Sequence, residues 1–289
     1  MVQRVGVIGL GVMGTAMSGH LITAGYEVGG YDIDPTRMDA LAAAGGTPRG
    51  SAAEVAADSD LVLFSLASVE ALNDAAAGVA EGAHPGLIAV EMGVLPIAAK
   101  QAAFDLLAGA GVELMDVPVS GTGLQAADAT LVVLASGSKE AFEAASPIFD
   151  VIGRATHYLG PFPNGSVMKF IANLLVSVHT LAAAEAHALG AAAGMDAQLV
   201  QRVIADGVGT SAMFEIRGPM MAADSYSPPS GRLDIIKKDA EIIQAYARSV
   251  GAPTPLLDVA LPTYRAASDA GFGDLDAAAI RLYLDRLGA

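Results

Sequence analysis

Lys169 and Asn173 are the residues whose types and spacing best suit chemistry. They stand four positions apart on a strongly apolar segment, so on a helix both side chains project from the same face. Burial of that face would lower the pKa of the lysine toward neutrality, where an amine exchanges protons readily. The pair therefore predicts a general acid or base at Lys169 with an amide one turn away.

A glycine-rich turn near the start of the chain is the second chemical pattern. Gly9, Gly11 and Gly14 follow a short apolar run and precede an apolar helical stretch. In a chain with 33 glycines, this spacing alone is weak evidence for a dinucleotide site, because it often arises by chance. Asp32 strengthens it, because it ends the next predicted strand eighteen residues past Gly14, where a ribose-binding acid is expected. The pattern predicts a dinucleotide site with the phosphates on the free N–H groups of a helix N-terminus.

The charges around Asp32 favour NAD over NADP. A carboxylate at this place can accept hydrogen bonds from both ribose hydroxyls and repels a 2′-phosphate. Asp34 adds to that repulsion. Arg37, at the start of the second predicted helix, could instead meet a phosphate, although a solvated surface role is the simpler interpretation.

The order of the elements predicts two domains. From residue 4 to about 160, short apolar runs alternate with alanine-rich helical stretches, which is typical of βαβ units and a parallel sheet. The predicted strands are 4–8, 27–31, 61–65, 87–91, 113–117 and 130–135, and the clearest helices are 13–24 and 35–44. Two prolines and two glycines within residues 159–165 mark a boundary. We therefore expect a Rossmann-type doubly wound dinucleotide-binding domain at 1–163 and an all-α substrate and oligomerisation domain at 164–289.

A helix of about 28 residues should follow this boundary and join the two domains, with a length of roughly 40 Å at 1.5 Å per residue. It is nearly free of charge, whereas a solvated helix carries a polar stripe. Subunit contacts are expected to cover part of it, so the sequence predicts a homo-oligomer, a dimer or a tetramer. The segment also contains Lys169, Asn173, His179, Glu185 and His187. These residues are costly in hydrocarbon, so we expect no membrane span.

Composition and charge exclude several classes of protein. An apolar fraction of 53% with 16% charged residues indicates a large buried interior and excludes a disordered chain. The net charge of −15 opposes binding to nucleic acid and to anionic membranes, and a small anionic substrate would need local cations. The absence of cysteine and of a signal peptide fits the cytoplasm. The five histidines show no metal-ligand spacing, so no metal is expected.

Four sequence blocks, in order, resemble the β-hydroxyacid dehydrogenase family, which includes 3-hydroxyisobutyrate dehydrogenase, tartronate semialdehyde reductase and glyoxylate/succinic semialdehyde reductases. The blocks are residues 6–14, 116–122 and 165–173 and the pair Lys238-Asp239. The resemblance extends over nearly the whole chain. It implies hydride transfer between a nicotinamide cofactor and a β-hydroxyacid or related aldehyde acid.

The resemblance also implies a role for particular residues. Lys169 would be the catalytic lysine and Asn173 would orient the substrate. The substrate carboxylate would be held by Ser120, Gly121 and Thr122. The residues implied to bind the cofactor are Gly9, Leu10, Gly11, Val12, Met13, Gly14, Asp32, Leu66, Ala67, Val94 and Lys238.

Three departures from the family pattern count against its usual small hydroxyacid substrates. Thr122 and Pro163 stand where the family usually has glycine, and Gly93-Val94 replaces a Ser-Thr pair near the nicotinamide. Two alternatives therefore stay open, an imine-reductase-like enzyme acting on C=N and a non-catalytic dinucleotide-binding scaffold. Lys169 argues against both, because such relatives usually lack or replace this lysine.

Overall fold

The computed structural model describes residues 2–288. The chain forms two compact units that divide after Lys169. The first contains a parallel sheet flanked by helices, and the second is helical. The predicted fold, a Rossmann-type domain followed by an all-α domain, is confirmed. The domain boundary was predicted six residues earlier, at the point where the long helix begins.

Six parallel strands form the main sheet of the first unit, in the order β3-β2-β1-β4-β5-β6. This is the strand order of dinucleotide-binding folds, in which ligands bind at the carboxyl ends of the strands where the order reverses. The strands are β1 Arg4–Ile8, β2 Glu27–Tyr31, β3 Thr47–Pro48, β4 Leu61–Phe64, β5 Ile88–Glu91 and β6 Glu113–Asp116.

Helices cover both faces of this sheet, which is why its central strands are continuous apolar runs. All four residues of β4 are fully buried. Side-chain caps set several helix starts, as where Asp34 accepts a hydrogen bond from the N–H of Thr36. The helices are α1 Val12–Thr23, α2 Pro35–Ala43, α3 Ala52–Ala57, α4 Val69–Glu81 and α5 Ile97–Gly109.

A second, three-stranded sheet completes the first unit. It consists of β7 Val119–Ser120, β8 Leu131–Ala135 and β9 Gly153–Tyr158, with α6 Gly123–Ala127 and α7 Lys139–Ile152 between them. The strand predicted at 130–135 forms as β8, but it pairs antiparallel with β7 and parallel with β9 instead of joining the main sheet. The sequence analysis missed β3 and β7, which have two residues each, and β9, which is polar and mostly not buried.

Helices and short helical turns form the second unit around one apolar core. The long helix α8, Asn164–Ala192, begins in the first unit and continues into the second. Its 29 residues match the predicted length. The others are α9 Ala197–Ala205, α10 Ala212–Ala222, α11 Leu233–Ser249, α12 Pro255–Ala267, a π-helical turn Ser268–Phe272, a 3₁₀ turn Ala277–Ala279 and α13 Ile280–Gly288.

By length and composition alone, α8 is apolar enough to cross a membrane. The core helix of a soluble protein passes the same test. The polar side chains of Lys169, Asn173, Ser177 and His187 are all buried along α8, and each would be costly in hydrocarbon. We therefore interpret α8 as a core helix.

Candidate active site

The glycine turn between β1 and α1 has the shape that a dinucleotide pyrophosphate requires. Gly9 adopts φ +90°, a left-handed conformation that favours glycine. A Cβ on Gly14 would lie 2.0 Å from the carbonyl oxygen of Gly9, so α1 packs directly on the turn. A Cβ on Gly11 would meet only Nη1 of Arg37, at 3.6 Å. No side chain caps the start of α1, so its first N–H groups can bind an anion.

Asp32 connects the end of β2 to this turn. Its Oδ2 accepts a hydrogen bond from the N–H of Leu10 at 2.7 Å, and its Oδ1 accepts one from the N–H of Asp34 at 2.9 Å. Nη1 of Arg37 also lies 3.2 Å from Asp32 Oδ2, and Nε of Arg37 lies 3.4 Å from Asp34 Oδ2. Arg37 is half-exposed, as a surface residue should be, but it partly neutralises both carboxylates. The acid, the turn and the helix start together fit the ribose and the pyrophosphate of a dinucleotide.

The loops that follow β4 and β5 reach the glycine turn. Leu66 and Ala67 follow β4 after Ser65, and Val94 lies in the β5 loop, residues 92–95. A Cβ on Gly9 would meet the Leu66 side chain at 3.0 Å, and a Cβ on Gly93 would lie 2.8 Å from the Leu66 carbonyl oxygen. The backbone at Leu66 therefore lies between the turn and the β5 loop, which brings these predicted cofactor residues together.

Thr122 is the N-cap of α6, a role that the sequence analysis did not predict. Its hydroxyl accepts a hydrogen bond from the N–H of Leu124 and donates one to Oε1 of Gln125 at 2.6 Å. The N–H of Thr122 also donates to Gln125 Oε1, at 2.7 Å, which completes a capping box. The threonine that replaces the family's glycine therefore starts a helix.

The Ser120-Gly121-Thr122 segment lies close to the glycine turn. Gly121 has φ +146°, and a Cβ there would lie 2.7 Å from the Leu131 side chain. A Cβ on Gly123 would lie 3.0 Å from Cγ1 of Val12. The first unit thus brings the segment predicted to hold a carboxylate next to the segment predicted to hold the pyrophosphate.

Lys169 is buried on α8, with only 8% of the residue exposed. Asn173, one turn further along the helix, is 7% exposed. Within the second unit its Nδ2 donates a hydrogen bond to Oδ2 of Asp239 at 2.9 Å. Nζ of Lys238 lies 3.2 Å from the other oxygen of Asp239. The buried carboxylate of Asp239 therefore fixes both the Asn173 amide and the Lys238 ammonium group.

Sequence analysis missed a buried ionic cluster at the carboxyl ends of β5 and β6. Lys100 Nζ forms an ion pair with Glu91 and donates a hydrogen bond to Asp116 Oδ1 at 2.7 Å, and all three residues are fully buried. Burial alone would lower the pKa of Lys100, but the two carboxylates raise it. Burial raises the pKa of Glu91. Two sequence signals could have revealed this cluster. One is a charged residue at the end of an apolar strand, and the other is a lysine on an apolar helix.

Two of the histidines have hydrogen-bond or stacking contacts within the protein. Nε2 of His20 lies 2.9 Å from the carbonyl oxygen of Ala126, and the His187 ring stacks on Phe214 with centroids 5.3 Å apart. Among residues 2–288, no three His, Cys, Asp or Glu side chains are grouped to hold a metal ion.

Comparisons with known proteins match both units. Residues 4–160 match the family model of the NAD binding domain of 6-phosphogluconate dehydrogenase, and residues 164–283 match the model described as NAD-binding of NADP-dependent 3-hydroxyisobutyrate dehydrogenase. L-threonate dehydrogenase of Cupriavidus necator is 35% identical over 97% of this chain and 95% of its own length. The chain belongs to the β-hydroxyacid dehydrogenase family.

Solved structures of this family have the same fold. The 3-hydroxyisobutyrate dehydrogenase of Salmonella typhimurium is 31% identical, with a TM-score of 0.88 over 97% of this chain and 99% of that one. The Mycobacterium tuberculosis enzyme of the same name, solved with L-serine, is 27% identical, with a TM-score of 0.89 over 98% and 99%. This β-hydroxyacid dehydrogenase family member is a nicotinamide-dependent oxidoreductase, as the sequence predicted.

Proposed function

We propose that this enzyme transfers a hydride between a nicotinamide cofactor and a β-hydroxyacid or related aldehyde acid, with Lys169 as the general acid or base. The observation that carries the proposal is the burial of Lys169 on α8, in a chain that aligns with L-threonate dehydrogenase over 97% of its length. A general acid or base must lie within hydrogen-bond reach of the group whose proton it moves, in a site that excludes bulk water.

The cofactor is held mainly by the glycine turn. The N–H groups of Gly11, Val12, Met13 and Gly14 bind the pyrophosphate, and Asp32 accepts hydrogen bonds from the ribose. Gly9 and Leu10 shape the turn, since their N–H groups already donate to the Tyr31 carbonyl oxygen and to Asp32. Leu66, Ala67 and Val94 line the adjoining loops, and Lys238 lies beside the nicotinamide. We infer a preference for NAD over NADP, because Asp32 and Asp34 repel a 2′-phosphate. Arg37 weakens that repulsion through its ion pairs with both acids.

The substrate carboxylate is held by the turn at Ser120, Gly121 and Thr122. Because both the hydroxyl and the N–H of Thr122 are used in the capping box, recognition falls on the other backbone N–H groups of the turn and on the Ser120 side chain. Glycine at position 121 lets the backbone approach an anion closely. Asn173 orients the substrate hydroxyl or carbonyl group, and its amide is held by Asp239.

Lys169 moves the proton of the reaction. Bound nicotinamide accepts or supplies the hydride. In oxidation, the C–H electron pair leaves the carbinol carbon as hydride, a C=O bond forms, and Nζ of Lys169 takes the hydroxyl proton. In reduction, Nζ returns a proton to the carbonyl oxygen. General acid and base catalysis of this kind contributes about 10²- to 10⁴-fold to a rate.

The active protein is a homo-oligomer, a dimer or a tetramer, in the cytoplasm. In support of self-association, the second unit exposes large apolar side chains on α8 and α12. Leu175 is 48% exposed, Leu189 73%, Leu256 66% and Val259 70%. Scattered exposed apolar residues are ordinary. On α8, however, Ile171 is also exposed, at 53%, and it lies four residues before Leu175 on the same helix face, which favours an interface.

The test is turnover of a substrate panel with NAD and with NADP, followed by NADH or NADPH absorbance. The panel contains L-threonate, L-serine, 3-hydroxyisobutyrate, glyoxylate, succinic semialdehyde, cyclic imines and secondary amines. We expect turnover of a hydroxyacid or aldehyde acid and none of imines or amines. Turnover confined to C=N substrates would establish an imine reductase instead. NADH binding without any turnover would establish a scaffold.

A further inference from the structure

The buried ionic cluster at the ends of β5 and β6 touches two segments of the proposed site. Its members are Glu91, Lys100 and Asp116, together with the buried serines Ser136 and Ser166. No side chain of the cluster has a role in the function proposed above. The hydrogen bonds and ion pairs that these residues form among residues 2–288 lie within the first unit.

On one side the cluster clamps the β5 loop. The N–H of Gly93 donates a hydrogen bond to Oε1 of Glu91 at 2.7 Å, and Nζ of Lys100 donates one to the Gly93 carbonyl oxygen at 2.8 Å. Lys100 and Glu91 are themselves ion-paired. Both polar groups of Gly93 are therefore fixed, directly before Val94.

On the other side the cluster holds the first turn of α8. Asp116 accepts hydrogen bonds from the N–H of Ser166 at 2.6 Å and from its hydroxyl at 2.7 Å. The N–H of Gly165 donates to Oγ of Ser136 at 2.9 Å, and this hydroxyl donates to the carbonyl oxygen of Asp116. The carboxylate also lies at a helix N-terminus, where the helix dipole stabilises negative charge. Lys169 follows Ser166 by three residues, so it stands about one turn further along α8.

We propose that Lys100 is a positioning residue that fixes Lys169 relative to the β5 loop, acting through Asp116 and Ser166. One ammonium group bonds to Gly93 and to Asp116, which joins the two segments through buried hydrogen bonds. The inference rests on the proposed function, because it concerns the geometry of that reaction's proton carrier.

Stability alone is a weak reason for such a cluster. Burying three charged groups carries a large desolvation cost, and well-packed apolar residues of similar volume are often as stable or more so. The ionic cluster holds its hydrogen-bonding partners in one fixed geometry. An apolar core of the same volume would not do so. Misplacing a reacting group by about 1 Å can cost on the order of 10²-fold in rate.

The experiment compares three variants with the wild-type enzyme. Ser166→Ala removes one hydrogen bond to Asp116 and little volume. Lys100→Met removes the connection itself. Ser59→Ala is the matched control, because Ser59 is a buried serine of the same unit whose hydroxyl donates a hydrogen bond to the carbonyl oxygen of Val55, outside the cluster. Each variant is measured for kcat, KM, NADH affinity and thermal unfolding.

A second measurement does not depend on turnover. The rate at which fluorodinitrobenzene modifies the Lys169 amine, read by mass spectrometry at several pH values, reports the pKa and the accessibility of that amine. The chain has only five lysines, so the modified peptides are easily resolved. If Ser166 only stabilised the fold, its replacement by alanine would leave the pH profile of Lys169 modification unchanged.

We expect Ser166→Ala to lower kcat by about tenfold or more, with KM and NADH affinity within about twofold, and to shift the Lys169 modification profile. Ser59→Ala should change none of these. Should Lys100→Met fail to fold, Ser166→Ala still decides the matter. A folded Ser166→Ala enzyme with wild-type kcat and an unchanged Lys169 profile would overturn the inference. If no substrate is turned over but the profile still shifts, the proposed function fails and the positioning role stands.

Discussion

Replacing Gly11 by alanine should separate dinucleotide binding from folding. Gly11 has φ −65°, which alanine adopts without strain. Among residues 2–288, and apart from the two chain neighbours of Gly11, the only heavy atom within 4 Å of the added Cβ is Nη1 of Arg37 at 3.6 Å, an ordinary contact with a movable side chain. Reduced freedom of the unfolded chain stabilises such a variant by about 0.4–1 kcal/mol, and the poorer N-cap offsets part of this. We therefore expect a free energy of unfolding within about 1 kcal/mol of the wild type.

The same methyl group should weaken cofactor binding. It would occupy the space through which the pyrophosphate approaches the backbone at Gly11. Losing one hydrogen bond to a charged group costs about 1.5–3 kcal/mol, which corresponds to roughly a 10- to 150-fold rise in the Kd of NADH. Titration of NADH fluorescence measures this Kd, and thermal unfolding of the same samples measures stability.

Two variants on α1 serve as controls. A Cβ on Gly19 meets nothing within 4 Å, so Gly19→Ala should leave the Kd unchanged. A Cβ on Gly14 would lie 2.0 Å from the Gly9 carbonyl oxygen, so Gly14→Ala should lower stability and binding together. An unchanged Kd for Gly11→Ala would refute the placement of the pyrophosphate over this turn. A large loss of stability in the Gly11→Ala variant would show that the protein has no room for the added methyl group.

Two further predictions concern charged groups of the first unit. Asp32→Ala should raise the KM for NAD by about 10- to 150-fold, because the hydrogen bonds to the ribose are lost. It should also reduce the preference for NAD over NADP. An unchanged ratio of kcat/KM for NAD to kcat/KM for NADP would contradict this prediction. Partial burial opposes the charged form of Asp60, but hydrogen bonds from the Arg4 side chain and from the N–H groups of Gln3 and Arg4 hold the pKa of Asp60 at about 2, below its ordinary 3.8. Its stabilisation is therefore present above pH 3.8 and lost as the pH falls through about 2. Asp60→Asn should lower the free energy of unfolding at pH 7 by about 1 kcal/mol or less, since the ion pair is partly exposed, and this difference should vanish in acid denaturation below about pH 2.

Apolar patterning was sufficient to predict the main sheet. Five of its six strands were found with ends correct to about one residue, because a strand covered on both faces is a short, nearly continuous apolar run. Strand β9 was missed because its residues are largely polar, and only pairing with β8 makes it a strand. The sheet to which β8 belongs was also not predictable, since partner choice depends on contacts distant in sequence.

Parts of the candidate site that a local sequence motif defines could be predicted. Parts that depend on contacts between distant elements could not. The glycine turn and Asp32 could be predicted, because strand, turn and helix are consecutive. The capping role of Thr122 was available from Gln125 three residues later but was not used. The link between Lys100 and Asp116 joins residues sixteen positions apart on different elements, and no local pattern reveals such a pair.

The central claim is that Lys169 carries the proton of hydride transfer. The most direct test is the turnover of Lys169→Met with the best substrate of the panel, measured across pH together with NADH affinity. We predict a fall in kcat of about 10²- to 10⁴-fold, loss of the lysine-dependent limb of the pH profile, and NADH affinity within about twofold of the wild type. Wild-type turnover with an unchanged pH profile in this variant would contradict the account.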